Sequence, residues 1–298
     1  MALTDLPIQQ QASRRFFFRG YAVAAGGFLT RIGSQPVPLD PSQVTTHGES
    51  SLPLIGGVSH SVVRAPELTF PNNIRYGACE TFVEGRYDGT QTITTLRATV
   101  NDVRLTTGPS PDDNIPNVRA MSFSAGSMAL QGESVYPQTG PSTFTIHPSQ
   151  PTDMALVITD SHGMDTRLPI TLEFDQRTLC LPSIHELDDL FRSDRQFFDR
   201  TLRCYCGPKK PEFEEKSLIP RTPRGFIVTS FVRQIRLGDS EPIPGNVLNK
   251  KGFGVIQFGL MLINPFGRRF VMAHIRMGSS PGGEADFCAV EDTGDWGN

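Results

Sequence analysis

Short stretches in which apolar and polar residues alternate recur along most of the chain, and each of them predicts a β-strand. Gly, Pro, Asn or Asp separates most of these stretches, as is typical of turns between strands. Ten strands are predicted in this way: Ser59–Val63, Ile74–Val83, Thr92–Leu105, Val118–Met128, Thr143–His147, Ala155–Thr159, Leu168–Phe174, Phe226–Leu237, Phe253–Ile263 and Arg269–Met277. The fold class that follows is mainly β, with antiparallel sheets arranged as a sandwich or as a barrel.

Local features refine the strand prediction at several points. In Thr92–Leu105 the apolar phase slips by one residue after Asn101-Asp102, which indicates a bulge. In the last strand the alternation places Val271, Ala273, Ile275 and Met277 on one face, which we expect to be buried. Residues 264–268 predict a hairpin loop. Residues 34–51, rich in proline, resemble a linker, and residues 278–298 a loosely ordered polar tail.

One amphipathic helix is predicted near residues 184–204. Ser183 and Glu186 have the spacing of a capping box, and the following apolar residues fall on a single helical stripe. Gly207-Pro208 then supplies a stop signal. The chain therefore divides into residues 1–51, an N-terminal strand and linker, residues 52–208, a β-rich region ending in the helix, and residues 209–298, a C-terminal β region. We expect the last two regions to form one domain.

Composition and charge exclude several classes of protein. The formal net charge of −3 gives no general attraction to nucleic acid, and no stretch approaches the length of a membrane-spanning helix. Five irregularly spaced cysteines do not indicate a disulfide framework. Residues Ser13 to Arg19 resemble a twin-arginine export signal, but no suitable apolar segment and cleavage site follow. We expect a cytoplasmic protein in which these residues lead into the first strand, with export as the alternative.

Three groups of residues could carry chemistry, and each has a simpler structural explanation. The segment Asp160 to Asp165 contains His162, a catalytic candidate, but the composition of the segment is that of a turn. Cys204-Tyr205-Cys206 lacks the spacing and the second pair of a zinc site, so no metal and no cofactor are predicted. Arginines near the C-terminus could converge with His274 on an anion pocket, although edge-strand arginines usually face solvent; they are Arg233, Arg236, Arg268, Arg269 and Arg276.

The sequence supports two functional hypotheses. The first is a non-catalytic β-rich protein that binds itself or another protein through surface contacts or oligomerisation, because strands are dense and no established catalytic signature is present. The second is a sandwich or barrel that acts as an enzyme or carrier and encloses a small ligand, with an anion as one candidate. In that hypothesis His274 or His162 would act in acid–base chemistry, while Arg233, Arg236 or Arg276 would bind the ligand. Enzymatic activity is left open.

Overall fold

The structure is a computed structural model of the whole chain, and it describes residues 16–32, 35–36, 45–64, 73–108, 115–181, 189–190, 192–195, 197, 227–264, 267–278 and 282–296. Within these ranges the protein is mainly β, with antiparallel sheets packed in two layers as in a sandwich. The sequence-based prediction of the fold class is thereby confirmed.

The strands account for most of the predicted segments and add several that the pattern did not predict. In chain order they are β1 Phe16–Phe17, β2 Gly20–Ile32, β3 Gln35–Pro36, β4 Thr45–Ser51, β5 Gly57–Val63, β6 Ile74–Arg75, β7 Cys79–Tyr87, β8 Gln91–Thr107, β9 Val118–Pro137, β10 Thr143–Pro148, β11 Ala155–Asp160, β12 Asp165–Phe174, β13 Cys180–Leu181, β14 Ile227–Ser230, β15 Val232–Leu237, β16 Ile243–Pro244, β17 Val247–Lys250, β18 Gly254–Asn264, β19 Gly267–Met277, β20 Gly282–Asp292 and β21 Asp295–Trp296.

Two large sheets face each other across the core. The larger has 11 strands, with the central order β16-β15-β12-β11-β9-β8-β7-β5 and with β6, β10 and β13 paired at its sides. The smaller has 8 strands, ordered β14-β18-β19-β20-β2-β3, with β4 on β2 and β17 on β18. β1 and β21 form a separate pair. Both N-terminal and C-terminal strands contribute to the smaller sheet, and β15 and β16 return to the larger one.

Phenylalanine side chains fill the space between the two layers. Phe144 of β10 stacks on Phe270 of β19 with ring centroids 4.4 Å apart, and Phe123 of β9 meets Phe258 of β18 at 6.2 Å. All four side chains are fully buried. Complete burial of one such side chain contributes about 1.5–3 kcal/mol, so these contacts hold the layers together.

One polar cluster is buried between the layers. Asp292 of β20 is fully buried and accepts a hydrogen bond from the hydroxyl of Tyr136, 2.8 Å away, and another from the backbone N–H of Gly294. Arg268 lies opposite Asp292 in the neighbouring strand, and its guanidinium donates to Ser142. Burial raises the pKa of the Asp292 carboxyl, although these neighbours and Ser134 oppose the shift. The cluster therefore joins the two sheets through a buried carboxyl group, and hydrogen bonds and the charge of Arg268 partly offset the cost of burying it.

A row of residues crosses five strands of the smaller sheet without regular pairing, and we call it the crease. In spatial order across the sheet, the residues of the crease are Gly48, Ala24, Cys288, Met272 and Gly259. Gly48, Cys288 and Gly259 have positive φ angles of 60°, 51° and 62°, whereas the two residues on the strands between them do not. The pairing register between neighbouring strands is the same on both sides of the crease. At the crease, however, two consecutive side chains in a strand point towards the core, as Met272 and Ala273 do.

The crease corrects the predicted inward face of β19. Ala273, Ile275 and Met277 are buried in the main core as expected. Val271 is buried as expected too, but in a small second apolar cluster with residues of neighbouring strands, while Phe270, predicted to face the other way, lies in the main core. Strict two-residue alternation fails because one irregular row exchanges the two faces of the strand.

A similar irregularity explains the slip predicted in β8. Asp102 has a φ of 52°, and the buried phase changes there as the sequence indicates. The register with β9 does not change, since Asn101 lies opposite Ser127 and Val103 lies opposite Ala125. The slip is therefore shared by both strands and is not the inserted residue that a bulge requires.

Two further predictions were wrong at the ends of the chain. The predicted tail contains β20, which pairs with β19 on one side and with β2 on the other. The predicted linker contains β4, which pairs with β2. Both β4 and β20 mix polar and small residues, and neighbouring strands satisfy their backbone groups.

Most of the predicted helix lies outside the described residues. Residues 189, 190, 192, 193, 195 and 197 are helical, and the Phe197 side chain is fully buried. The hairpin tip at 265–266 and the connection at 209–223 are likewise outside the described ranges. Among the described residues, no helix has the length and apolar character needed to cross a membrane.

Candidate functional site

A groove of about 280 Å³ lies on the outer face of the smaller sheet, along the crease. Because two consecutive residues point inward at the crease, the outward side chains on either side of it are three positions apart. Val23 and Gly26 of β2 show this spacing, and both line the groove. The absence of a side chain at Gly26 adds further space, so the groove is a direct consequence of the irregular backbone.

His274 and Asp286 form a hydrogen-bonded pair in the groove. They lie opposite each other in β19 and β20, and His274 Nδ1 is 2.7 Å from Asp286 Oδ1. Arg269 donates to the other carboxylate oxygen at 2.9 Å and also approaches Glu291. Burial raises the pKa of Asp286, but the His274 hydrogen bond and the charges of His274 and Arg269 outweigh it and lower the pKa overall. The carboxylate thus orients the imidazole ring, as in many sites that use histidine.

The groove is not arranged to attract an anion. Its charged lining residues are Arg269, Glu284 and Asp286, and the arginine is already engaged by carboxylates. At the rim, burial and the neighbouring Glu49 raise the pKa of Tyr21 to about 12, so its hydroxyl is protonated at neutral pH. A neutral or cationic ligand with hydrogen-bonding groups suits this lining better than an anion does.

The predicted arginine cluster is not assembled on one face. Arg233 and Arg236 belong to β15 in the larger sheet, where Arg233 lies 3.3 Å from Glu173. Arg276 belongs to β19 in the smaller sheet, where it lies 3.4 Å from Glu284. Of the residues predicted to converge, His274 and Arg269 line the groove, where both contact Asp286. Arginine in an antiparallel strand usually finds its partner on the next strand, which the sequence cannot identify.

The other predicted chemical groups show no site among the described residues. His162 lies in an exposed turn, where Asp160 accepts hydrogen bonds from the backbone N–H groups of His162 and Met164. Cys79, Cys180 and Cys288 are free thiols, and the described part of the chain holds no cluster of metal-binding side chains. Cys204 and Cys206 lie outside the described residues.

A second candidate site is the free edge of the larger sheet. β5 ends the strand order and pairs only with β7 among the strands described. No charged residue occurs from Ser50 to Val63. Val58 and Val62 of β5 are 60% and 43% exposed, and Ile55 just before it is 91% exposed. An edge strand that has one open side, apolar side chains and no charge is a template for pairing with another strand.

Comparison with known proteins adds no assignment. The chain matches no family model, no curated protein and no solved structure. The two candidate sites therefore depend on their geometry alone.

Sequence reasoning missed the partner of His274 and the free edge. Asp286 falls in the segment that was predicted to be a loose tail, so no pairing with His274 was expected. For β5 a signal was present, because the strand was predicted and lacks charge. Its position at the end of a sheet depends on which strands pair, and a single strand pattern does not contain that information.

Proposed function

We propose that the protein is a non-catalytic binding or assembly subunit that acts by pairing the β5 edge with a strand of a protein partner. The observation that carries the proposal is β5 itself, which pairs only with β7 among the described strands, has no charged residue and exposes Val58 and Val62. Strand addition supplies affinity through backbone hydrogen bonds and specificity through alternate side chains. As the last strand in the order, β5 offers backbone groups on its outer side and the exposed side chains of Val58 and Val62.

The usual protection of an edge strand is missing from β5. Natural sheets place lysine, proline or a bulge in such strands, which prevents unwanted pairing. Residues Gly57 to Val63 contain none of these residues, and their register with β7 is regular throughout. The exposed large hydrophobic residues of the described chain also concentrate here, with Leu54, Ile55, Val58 and Val62 in a single short segment. Such a concentration marks an interaction surface.

Native mass spectrometry of the protein purified from its own source tests the proposal. We expect a retained protein subunit, either a second copy or another chain, that is lost in the double variant Val58→Lys plus Val62→Lys. Met164→Lys is the matched control, because Met164 is 70% exposed in a turn of the larger sheet. No retained protein, or equal retention in the edge variant and the control, would contradict the proposal.

A second candidate function is the binding of a small molecule in the groove, favoured by the His274–Asp286 pair. The ligand would lie on the outer face of the smaller sheet, since buried apolar side chains occupy the layer between the sheets. The same mass spectra test this candidate. We expect a bound small neutral or cationic compound, and we expect the His274→Gln variant to bind it more weakly. A spectrum without a stoichiometric small molecule argues against it, whatever the subunit count.

A further inference from the structure

We infer that the partner of β5 is a second copy of the same strand, paired antiparallel about a two-fold axis at His60. The inference rests on the proposed function and specifies the partner of that edge. In this arrangement Val58 lies opposite Val62 of the second copy, and Ser59 lies opposite Ser61. Two 11-stranded sheets would thereby become continuous.

The sequence of β5 is symmetric about this axis. Val58-Ser59-His60-Ser61-Val62 is the same in both directions. In an antiparallel pair centred on His60, each residue therefore meets a residue of its own kind. In a two-fold interface residue i of one copy meets residue j of the other, and j meets i. Pairing centred on His60 therefore sets Val58 against Val62 twice, which gives two identical apolar contacts from one strand.

The outer face of β5 suits this pairing. Val58 and Val62 are exposed in the single chain, and pairing would bring them together on both sides of the axis. The charged groups beside His60 already have partners within the chain. Glu80 lies 3.2 Å from His60 and 2.9 Å from Arg97, and Arg97 lies over the ring of Phe82. No unpaired charge is therefore brought to the axis by these neighbours.

The first part of the test is the mass of the purified full chain by light scattering, over roughly 1–100 µM, where an interface this small dissociates. We expect a monomer–dimer equilibrium that shifts to monomer in the Val58→Lys plus Val62→Lys variant and stays unchanged in Met164→Lys. A wild-type chain that is monomeric throughout overturns the inference. A dimer that persists in the double variant also overturns the inference, because such a dimer uses another surface.

The second part tests the position of the axis. In His60→Cys, two thiols face each other across the axis at a separation compatible with a disulfide, so mild oxidation should give a covalent dimer. Met164→Cys and the wild-type chain, which has its own exposed Cys180, are the controls. A dimer whose His60→Cys variant cross-links no more than the controls overturns this register.

The two proposals fail in different ways. If native spectra show another protein held at the edge while the purified chain remains monomeric, the proposed function stands and the second-copy inference is wrong. If neither a second copy nor another protein depends on Val58 and Val62, both are wrong.

Discussion

Replacing Tyr136 by phenylalanine removes one hydroxyl from the buried cluster around Asp292 and leaves the aromatic ring in place. That hydroxyl donates to Asp292 Oδ2 at 2.8 Å, and the ring packs on Phe16 with centroids 4.9 Å apart. The packing is therefore preserved, and the lost contact is a single hydrogen bond to a carboxyl group that water does not reach. Such a bond contributes about 1.5–3 kcal/mol when the acceptor is charged and about 1 kcal/mol when it is neutral.

The loss should depend on pH in a defined direction. Burial raises the pKa of Asp292 above its unfolded value, so the folded carboxyl stays protonated to a higher pH than the unfolded one. Stability associated with this group is thus present at low pH and is lost as the pH rises through the folded pKa. The Tyr136 hydrogen bond favours the ionised form, and its removal raises that pKa further. The variant should therefore lose about 1 kcal/mol in acid and up to about 3 kcal/mol at high pH.

Chemical denaturation followed by circular dichroism, repeated from acid to alkaline pH, measures this difference in the free energy of unfolding. Tyr87→Phe is the control, because the Tyr87 hydroxyl donates to Gly89 O at the exposed end of a strand. Its removal should change stability by less than about 0.5 kcal/mol. Equal effects of the two variants, or a Tyr136→Phe effect that is largest in acid, would refute the reasoning.

Three further outcomes are expected. Gly259→Ala should cost roughly 2–4 kcal/mol in denaturant titrations, because its φ is 62° and an added Cβ would lie 2.7 Å from Val232 Cγ2. Phe270→Ala should cost about 3–5 kcal/mol in the same assay by leaving a cavity; a loss below 1 kcal/mol would show that the layers can collapse onto it. In the native protein Cys180, which is exposed, should react quickly with a thiol reagent, whereas Cys79, whose pKa is raised by burial to about 11, should not. Mass mapping of the labelled protein measures both rates, and early labelling of Cys79 would contradict this prediction.

The strand pattern was sufficient to predict the β class, because alternation reports which residues face a core within one strand. It was sufficient for segments such as Thr143–His147 and Leu168–Phe174, which lie within β10 and β12. It was insufficient for β20, whose mixture of glycine, acidic and apolar residues shows no clean alternation across Cys288. A residue with positive φ inside a strand breaks the two-residue period on which the prediction depends.

Local sequence thus determined the class of the fold, the absence of protective charge in β5 and the candidacy of His274. The tertiary structure alone decided the rest. Pairing between strands distant along the chain placed Asp286 beside His274, separated Arg233 from Arg276, and left β5 at the end of a sheet. The physical reason is that side-chain alternation is a property of one strand, whereas a groove, an ion pair and a free edge are properties of neighbouring strands, and neighbourhood is set by long-range packing.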